Sequence, residues 1–144
     1  MTKLSEDQMD LRQISPDLAV APQIDPRDLA AVAAAGFVGV IDNRPDAEIG
    51  PAQSSARMAE AAAQAGLQFH YLPVGGPMTP ALVQGFADAM AAAGGPVLAY
   101  CRSGTRSATV WAITQAGKRP ADEILRLAAR AGYDLSHLRA ILRG

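Results

Sequence analysis

The sequence predicts a three-layer α/β fold in which a central, mostly parallel sheet of four to five strands is flanked by helices. Short apolar runs typical of buried strands alternate with alanine-rich segments of helical periodicity along most of the chain. No long linker or internal repeat divides the 144 residues, a length that suits one domain. Hydrophobic residues make up 49% of the chain, enough for one buried core. We therefore predict a single domain over residues 14–144, preceded by a flexible polar lead-in over residues 1–13.

The first half of the chain contains two predicted strands separated by a helix. An apolar run at 18–21, bounded by prolines on both sides, predicts the first strand. An aspartate followed by proline then marks the start of a helix over 26–35, because proline suits the first helical position. A run rich in β-branched residues at 37–41 predicts a second, buried strand, which ends at the polar turn 42–46.

The second half continues the alternation and then becomes helical. Glycines stop the alanine-rich segments, as expected at helix C-termini. The strands are short apolar runs between these helices. The predicted elements are, in order, a helix over 52–65, a strand over 69–74, a helix over 79–94, a strand over 96–100, and helices over 105–116, 120–131 and 135–142.

Composition excludes several classes of function. The formal net charge is -1 and aromatic residues make up 5% of the chain, so a nucleic-acid partner is not expected. A single cysteine rules out an intramolecular disulfide and a cysteine metal cluster, and two histidines give no zinc spacing. We expect no metal and no cofactor. The chain lacks the apolar run of about 18 residues that a membrane span requires, and its polar N-terminus does not resemble a signal peptide, so we predict a cytoplasmic protein without a membrane partner.

The most informative segment is the loop that follows the predicted strand 96–100. Ligands of open α/β sheets bind beyond the carboxyl ends of strands, where Cys101 lies. The helix that follows directs unpaired N–H groups at this loop, and Arg102 and Arg106 flank it, so the thiolate is favoured. We predict that Cys101 is the nucleophile and that Arg106 binds the anion, provided that solvent reaches the thiol. Substrate-binding roles are predicted for Arg102, Ser103, Gly104, Thr105 and Ser107.

A second polar segment, the turn at 42–46, is expected at the same edge of the sheet. Asn43 and Arg44 follow a predicted strand, and the carboxyl ends of parallel strands share one edge. We predict substrate binding by both residues. For Arg44 the alternative remains open that it is an ordinary solvated arginine in a turn.

These segments resemble known families. The loop at 101–106 resembles the active-site loop of rhodanese-type sulfurtransferases and a shortened signature loop of cysteine-dependent tyrosine phosphatases. Together with the turn at 42–46 and the strand 69–74, it resembles the phosphatase-like domain of bacterial beta-lactamase hydrolase-like proteins, over about residues 14–116. The resemblance implies a cysteine-phosphatase-like fold of the dual-specificity type. It also implies a persulfide dioxygenase as a fused or separate partner in some members.

Two departures bear on the choice between the activities of that family. Four residues separate Cys101 from Arg106, whereas the phosphatases place five there, and the loop 75–79 contains no carboxylate to act as general acid. Asp42 and Asp46 could serve as acids only if their turn faces Cys101. We therefore expect a sulfurtransferase that moves sulfane sulfur from thiosulfate or a persulfide, through a Cys101 persulfide, to an acceptor thiol. The alternatives are a phosphatase that forms a phosphocysteine and a non-catalytic anion or thiol sensor.

Overall fold

A five-stranded sheet forms the middle layer of the computed structural model, which describes residues 9–143. The strands are β1 (Arg12–Ser15), β2 (Leu18–Ala21), β3 (Gly39–Asp42), β4 (Gln68–Tyr71) and β5 (Val97–Tyr100). Their order in the sheet is β1-β2-β5-β3-β4, with β1 antiparallel to β2 and all other neighbours parallel. The prediction of a mostly parallel α/β sheet is confirmed.

Strand β1 corrects the predicted domain boundary. Arg12 and Gln13, placed in the flexible lead-in, already pair with β2. The strand was missed because only its last two residues, Ile14 and Ser15, are buried, so it has no apolar run. As an edge strand, β1 pairs on one side only and tolerates polar residues. Residues 1–8 of the predicted lead-in lie outside the described residues.

The helices correspond to the predicted segments, and all except the helix at Thr105 begin later than predicted. Within residues 9–143 they are α1 (Leu29–Ala34), α2 (Ser55–Gln64), α3 (Pro80–Ala93), α4 (Thr105–Gln115), α5 (Ala121–Arg130) and α6 (Arg139–Leu142). Short 3₁₀ turns lie over Pro26–Asp28, Pro51–Gln53 and Ser136–Leu138, and all of their residues except Pro51 were predicted to be α-helical.

The two faces of the sheet bury separate cores. Alternate residues of the inner strands, Leu18, Val20, Ile41, Val97 and Ala99, face the core formed with α3, α4, α5 and α6. The intervening residues, Ala19, Ala21, Val40, Leu98 and Tyr100, face the core formed with α1 and α2. Burial on both faces explains why these strands are continuous apolar runs. None of the described helices is long and apolar enough to cross a membrane.

The carboxyl edge of the sheet brings the two polar segments of the sequence together. Cys101 follows the central strand β5, and Asn43 follows its neighbour β3. The Asn43 amide donates to the carbonyl of Tyr100 at 2.8 Å, which continues the β3–β5 pairing up to the cysteine. The Val74 amide donates to the Asn43 carbonyl at 2.9 Å, so the chain after β4 reaches the same edge.

Candidate active site

The loop between β5 and α4 curls around the sulfur of Cys101. The Gly104 amide donates to Cys101 Sγ at 3.1 Å. Gly104 has a φ of 96°, in the left-handed region that favours glycine, and it is also the N-cap of α4. One backbone N–H of this loop, that of Gly104, is therefore directed at Cys101.

The cysteine itself is sealed in this conformation. Cys101 is 0% exposed, whereas Arg102, Ser103 and Thr105 around it are exposed. The nucleophile hypothesis requires a thiol that solvent can reach, and this conformation does not meet that requirement. A ligand can reach the sulfur only if the loop opens.

Arg106 is anchored so that one edge of its guanidinium remains available. Nη1 donates to Glu48 Oε2 at 3.0 Å and to the Val74 carbonyl at 2.6 Å, and Nη2 donates to Glu48 Oε1 at 2.8 Å. A guanidinium has five N–H donors. Among the described contacts, Nε–H and one Nη2–H stay uncommitted, and they point the same way. This edge can bind an oxyanion with two parallel hydrogen bonds.

Glu48, which no sequence argument identified, is the residue that holds Arg106. It ends the 3₁₀ turn Asp46–Glu48, and the hydrogen bond from Arg106 lowers the pKa of its carboxyl. In return, Glu48 and, to a smaller extent, the sulfur of Cys101 raise the pKa of Arg106. The only available signal was an acidic residue just beyond the turn 42–46, because a partly buried arginine needs a counter-ion.

Arg44 braces the same turn. Its Nη2 donates to the Glu48 carbonyl at 2.9 Å, and its Nη1 donates to Gln23 Oε1 at 3.3 Å. Its side chain is 16% exposed, so it is not a solvated turn arginine. These contacts place Arg44 behind Glu48, where it supports the turn that anchors Arg106.

Asn43 and Ser107 form a buried pair at the start of α4. Ser107 Oγ donates to Asn43 Oδ1 at 2.8 Å, and Asn43 Nδ2 donates to the Leu72 carbonyl at 2.7 Å. Both residues are 0% exposed. A substrate-binding role was predicted for Ser107, but its hydroxyl donates its proton to Asn43 instead. The pair therefore ties α4 to the β3 edge, and neither residue is placed to bind substrate here.

No carboxylate in the turn faces the cysteine. Asp42 pairs with Tyr100 across the sheet, so its side chain lies on the α1–α2 face, and Cys101 follows Tyr100 onto the opposite face. Burial raises the pKa of Asp42 to about 6, and its Oδ1 accepts the Arg44 amide at 2.9 Å. Asp46 accepts from the amide and hydroxyl of Ser55 at 2.7 and 2.6 Å. Neither aspartate is in position to protonate a leaving group beside Cys101.

The parallel sheet, the cysteine beyond its central strand and the anchored arginine define the class of cysteine-based, phosphatase-like proteins. The family model described as "Beta-lactamase hydrolase-like protein, phosphatase-like domain" matches residues 10–118. The chain belongs to this family, as its resemblance predicted.

Two curated relatives are similar over most of this chain. A "Beta-lactamase hydrolase-like protein" of Agrobacterium fabrum is 33% identical over 126 residues, which are 85% of this chain and 29% of the relative. One of Xylella fastidiosa is 32% identical over 130 residues, 88% of this chain and 30% of the relative. The chain thus spans less than a third of the length of these relatives. The dioxygenase partner and the cytoplasmic location stay predictions.

Solved structures of phosphatase-like proteins share the fold. A "putative phosphatase" from Neisseria meningitidis superposes with a TM-score of 0.79 and 34% identity, covering 92% of this chain and 95% of that one. TpbA of P. aeruginosa, solved in complex with pTyr, has a TM-score of 0.64 and 18% identity, covering 99% and 92%. At that identity the second likeness concerns the fold alone.

The expectation of a sulfurtransferase is wrong. The matching family and the similar structures are phosphatase-like, although the chain has the shorter spacing between Cys101 and Arg106. That spacing was not diagnostic, because the positions of the N–H donors and of the guanidinium edge decide which anion fits. The absence of an acid in the loop 75–79 restricts the leaving group of a phosphatase rather than excluding phosphoryl transfer.

Proposed function

We propose that the chain is a cysteine-dependent phosphatase that hydrolyses phosphate monoesters through a phosphocysteine on Cys101. The free Nε–Nη2 edge of Arg106 carries this proposal, because Glu48 and Val74 take up its other donors and leave that edge for an oxyanion. The Gly104 N–H, 3.1 Å from the sulfur, supplies a further donor beside the nucleophile. Such donors stabilise the charge on the phosphoryl oxygens as the phosphorus is transferred.

The reaction has two displacement steps at phosphorus. The first requires the loop to open, because Cys101 is 0% exposed. The Cys101 thiolate then forms an S–P bond while the P–O bond to the ester oxygen breaks, and the leaving oxygen keeps the electron pair. In the second, the oxygen of a water molecule attacks phosphorus and the S–P bond breaks, which regenerates the thiolate. The water gives up one proton to solvent or to the departed oxyanion, and inorganic phosphate is released. This is covalent catalysis with ping-pong kinetics.

Among residues 9–143, the lack of a free carboxyl group beside Cys101 indicates the substrate class. Asp42 and Asp46 lie elsewhere, and Glu48 is held ionised by Arg106. A leaving oxygen must then depart with little help from a proton donor. Phenols have a pKa of about 10, far below that of aliphatic alcohols, so an aryl oxide is the better leaving group. We infer that the substrates are aryl phosphates, with phosphotyrosine as the protein example.

Phosphate release from p-nitrophenyl phosphate tests this function. The wild-type chain should release phosphate, and Cys101→Ser should lower the rate on the order of 10³-fold or more, because the nucleophile is lost. Rapid quenching followed by intact mass should show one phosphoryl group on Cys101. A series of phenols of increasing pKa should give steeply falling rates, and alkyl phosphates should react least.

Two results would contradict the proposal. One is a wild-type chain that releases no phosphate from any aryl ester. The other is a Cys101→Ser chain that turns over at the wild-type rate, since the attack would then not come from sulfur.

A further inference from the structure

A residue far outside the cysteine loop packs directly against its glycine. Tyr133 follows α5, beyond residues 10–118 that the family model matches, and is 6% exposed. A Cβ placed on Gly104 would overlap the Tyr133 hydroxyl and lie 2.9 Å from its Cζ. The phenol therefore fills the space behind the loop, and only a glycine fits in front of it.

The same phenol is hydrogen-bonded to the peptide group that serves Cys101. The Tyr133 hydroxyl donates to the Ser103 carbonyl at 3.5 Å, and the next amide, that of Gly104, donates to Cys101 Sγ at 3.1 Å. These groups belong to one peptide unit, and in a trans peptide the C=O and N–H point in opposite directions. Tyr133 and Cys101 thus hold a single peptide plane from its two sides.

Tyr133 is itself held in place by the edge strand β1. The Arg12 guanidinium lies 5.7 Å from the centre of the Tyr133 ring, and its Nη1 donates to the Ala131 carbonyl at 3.1 Å. Burial, with a further contribution from the charge of Cys101, raises the pKa of Tyr133. The hydroxyl therefore remains protonated and stays a donor.

We propose that Tyr133 is a positioning residue that prevents the Ser103–Gly104 peptide from flipping and so keeps the Gly104 N–H directed at the sulfur and at a bound oxyanion. A flip would turn the Ser103 carbonyl oxygen toward the thiolate, and the partial negative charge of that oxygen would repel the sulfur anion. Glycine permits such a flip because its backbone adopts positive and negative φ about equally well. The loop sequence alone therefore leaves the direction of this donor open, and Tyr133 selects it.

Hydrogen exchange at the Gly104 amide tests this directly and requires no turnover. Tyr133→Phe removes the hydroxyl and keeps the ring, so exchange at Gly104 should become a few-fold faster. Tyr133→Leu also removes the ring tip, and exchange there should rise by about tenfold or more, the loss of roughly one hydrogen bond. Leu138→Ala is the matched control, since Leu138 is buried in the same C-terminal segment and is in the core rather than at the loop.

Affinity for inorganic phosphate, measured by calorimetry, gives a second and functional measurement. The dissociation constant should rise in the order wild type, Tyr133→Phe, Tyr133→Leu, because each change loosens a donor to the anion. Leu138→Ala should raise exchange across the whole core without a specific excess at Gly104, and its phosphate affinity should stay at the wild-type value.

Wild-type exchange at Gly104 in Tyr133→Leu would overturn the inference, as would an equal excess at Gly104 in Leu138→Ala. The inference concerns the same site as the proposed phosphatase, but its failure is separable. A chain without phosphatase activity whose Gly104 amide still responds to Tyr133 would remove the proposed function and leave the positioning role.

Discussion

Two segments meet at the carboxyl edge of the sheet and contribute in different ways. The cysteine loop, residues 101–107, supplies the groups that would touch an anion. The anchoring turn, residues 42–48, supplies side chains that hold those groups, as Glu48 holds Arg106. In the first segment the candidate site residues are neighbours in the sequence, so their pattern can be recognised. In the second segment the side chains hold partners that are distant along the chain. Residues predicted to contact an anion are therefore easier to recognise in a sequence than the residues that orient them.

Removing Arg106 should have the largest effect. Arg106→Ala should lower kcat/KM for p-nitrophenyl phosphate by about 10²–10³-fold, because a preorganised donor pair is lost. Arg106→Lys should recover little, since an ammonium cannot bind Glu48 and an oxyanion with paired hydrogen bonds. Arg102→Ala should cost much less, because Arg102 is exposed. Equal losses for the two arginines would mean that charge, rather than anchoring, matters.

Asp42 should give the largest effect on stability in the anchoring turn. Burial raises its pKa to about 6 from 3.8, so between about pH 4 and 6 the folded chain binds more protons than the unfolded one. The contribution of Asp42 to the free energy of unfolding therefore falls as the pH rises through that range, by about 3 kcal/mol in total. Urea unfolding at a series of pH values measures it.

The control for this titration is Asp42→Asn, which keeps the oxygen that accepts the Arg44 amide. The wild type and Asp42→Asn should have similar stability at pH 4, and Asp42→Asn should be the more stable at pH 7. A difference that stays constant across this range would contradict the raised pKa.

Replacing Asn43 should lower the stability somewhat less, and it tests the contact between the two segments. Asn43→Ala leaves the Ser107 hydroxyl and the Leu72 carbonyl without their buried partner. The free energy of unfolding should fall by about 2 kcal/mol, the cost of unpaired buried polar groups. In the double variant with Ser107→Ala the two losses should not add, because the residues are directly coupled. Additive losses would show that the hydrogen bond is energetically unimportant.

Replacing Glu48 should have the smallest effect of these changes, since its ion pair with Arg106 is partly exposed. Glu48→Gln should raise KM a few-fold and leave kcat nearly unchanged, because an amide retains one acceptor for Arg106. Because Arg106 lowers the pKa of Glu48, the wild-type KM should hold until the pH falls below the ordinary titration range of a glutamate. A fall in kcat with unchanged KM would instead indicate that Glu48 acts in the chemical step.

Local sequence patterns predicted most of the strands and helices but not the edge strand β1. The run at 18–21 coincides with β2, since a strand buried on both faces is apolar throughout. Strand β1 has only Ile14 and Ser15 buried, so its pattern is too short to detect. The segment 135–142 was predicted as one helix, but it divides into a 3₁₀ turn and the short helix α6.

The site was predicted unevenly for a similar reason. Cys101, Gly104 and Arg106 could be predicted together because they are close in sequence and share one loop, and their roles stay predictions. Ser107 was predicted to bind substrate, but its hydroxyl donates to Asn43. The choice of sulfur transfer was wrong because it rested on the four-residue spacing and on the lack of a carboxylate in the loop 75–79, and neither specifies where the donors point.

The sequence by itself determined the alternation of strands and helices, the position of the cysteine at the end of a strand and the membership of a phosphatase-like family. Only the tertiary structure decided which partners those residues have: Glu48 meets Arg106 across 58 residues, and Tyr133 meets Ser103 across 30. Backbone propensity and hydrophobic period act over a few residues, so a sequence records them directly. The partner of a side chain depends on how whole layers pack, and no local pattern contains that information.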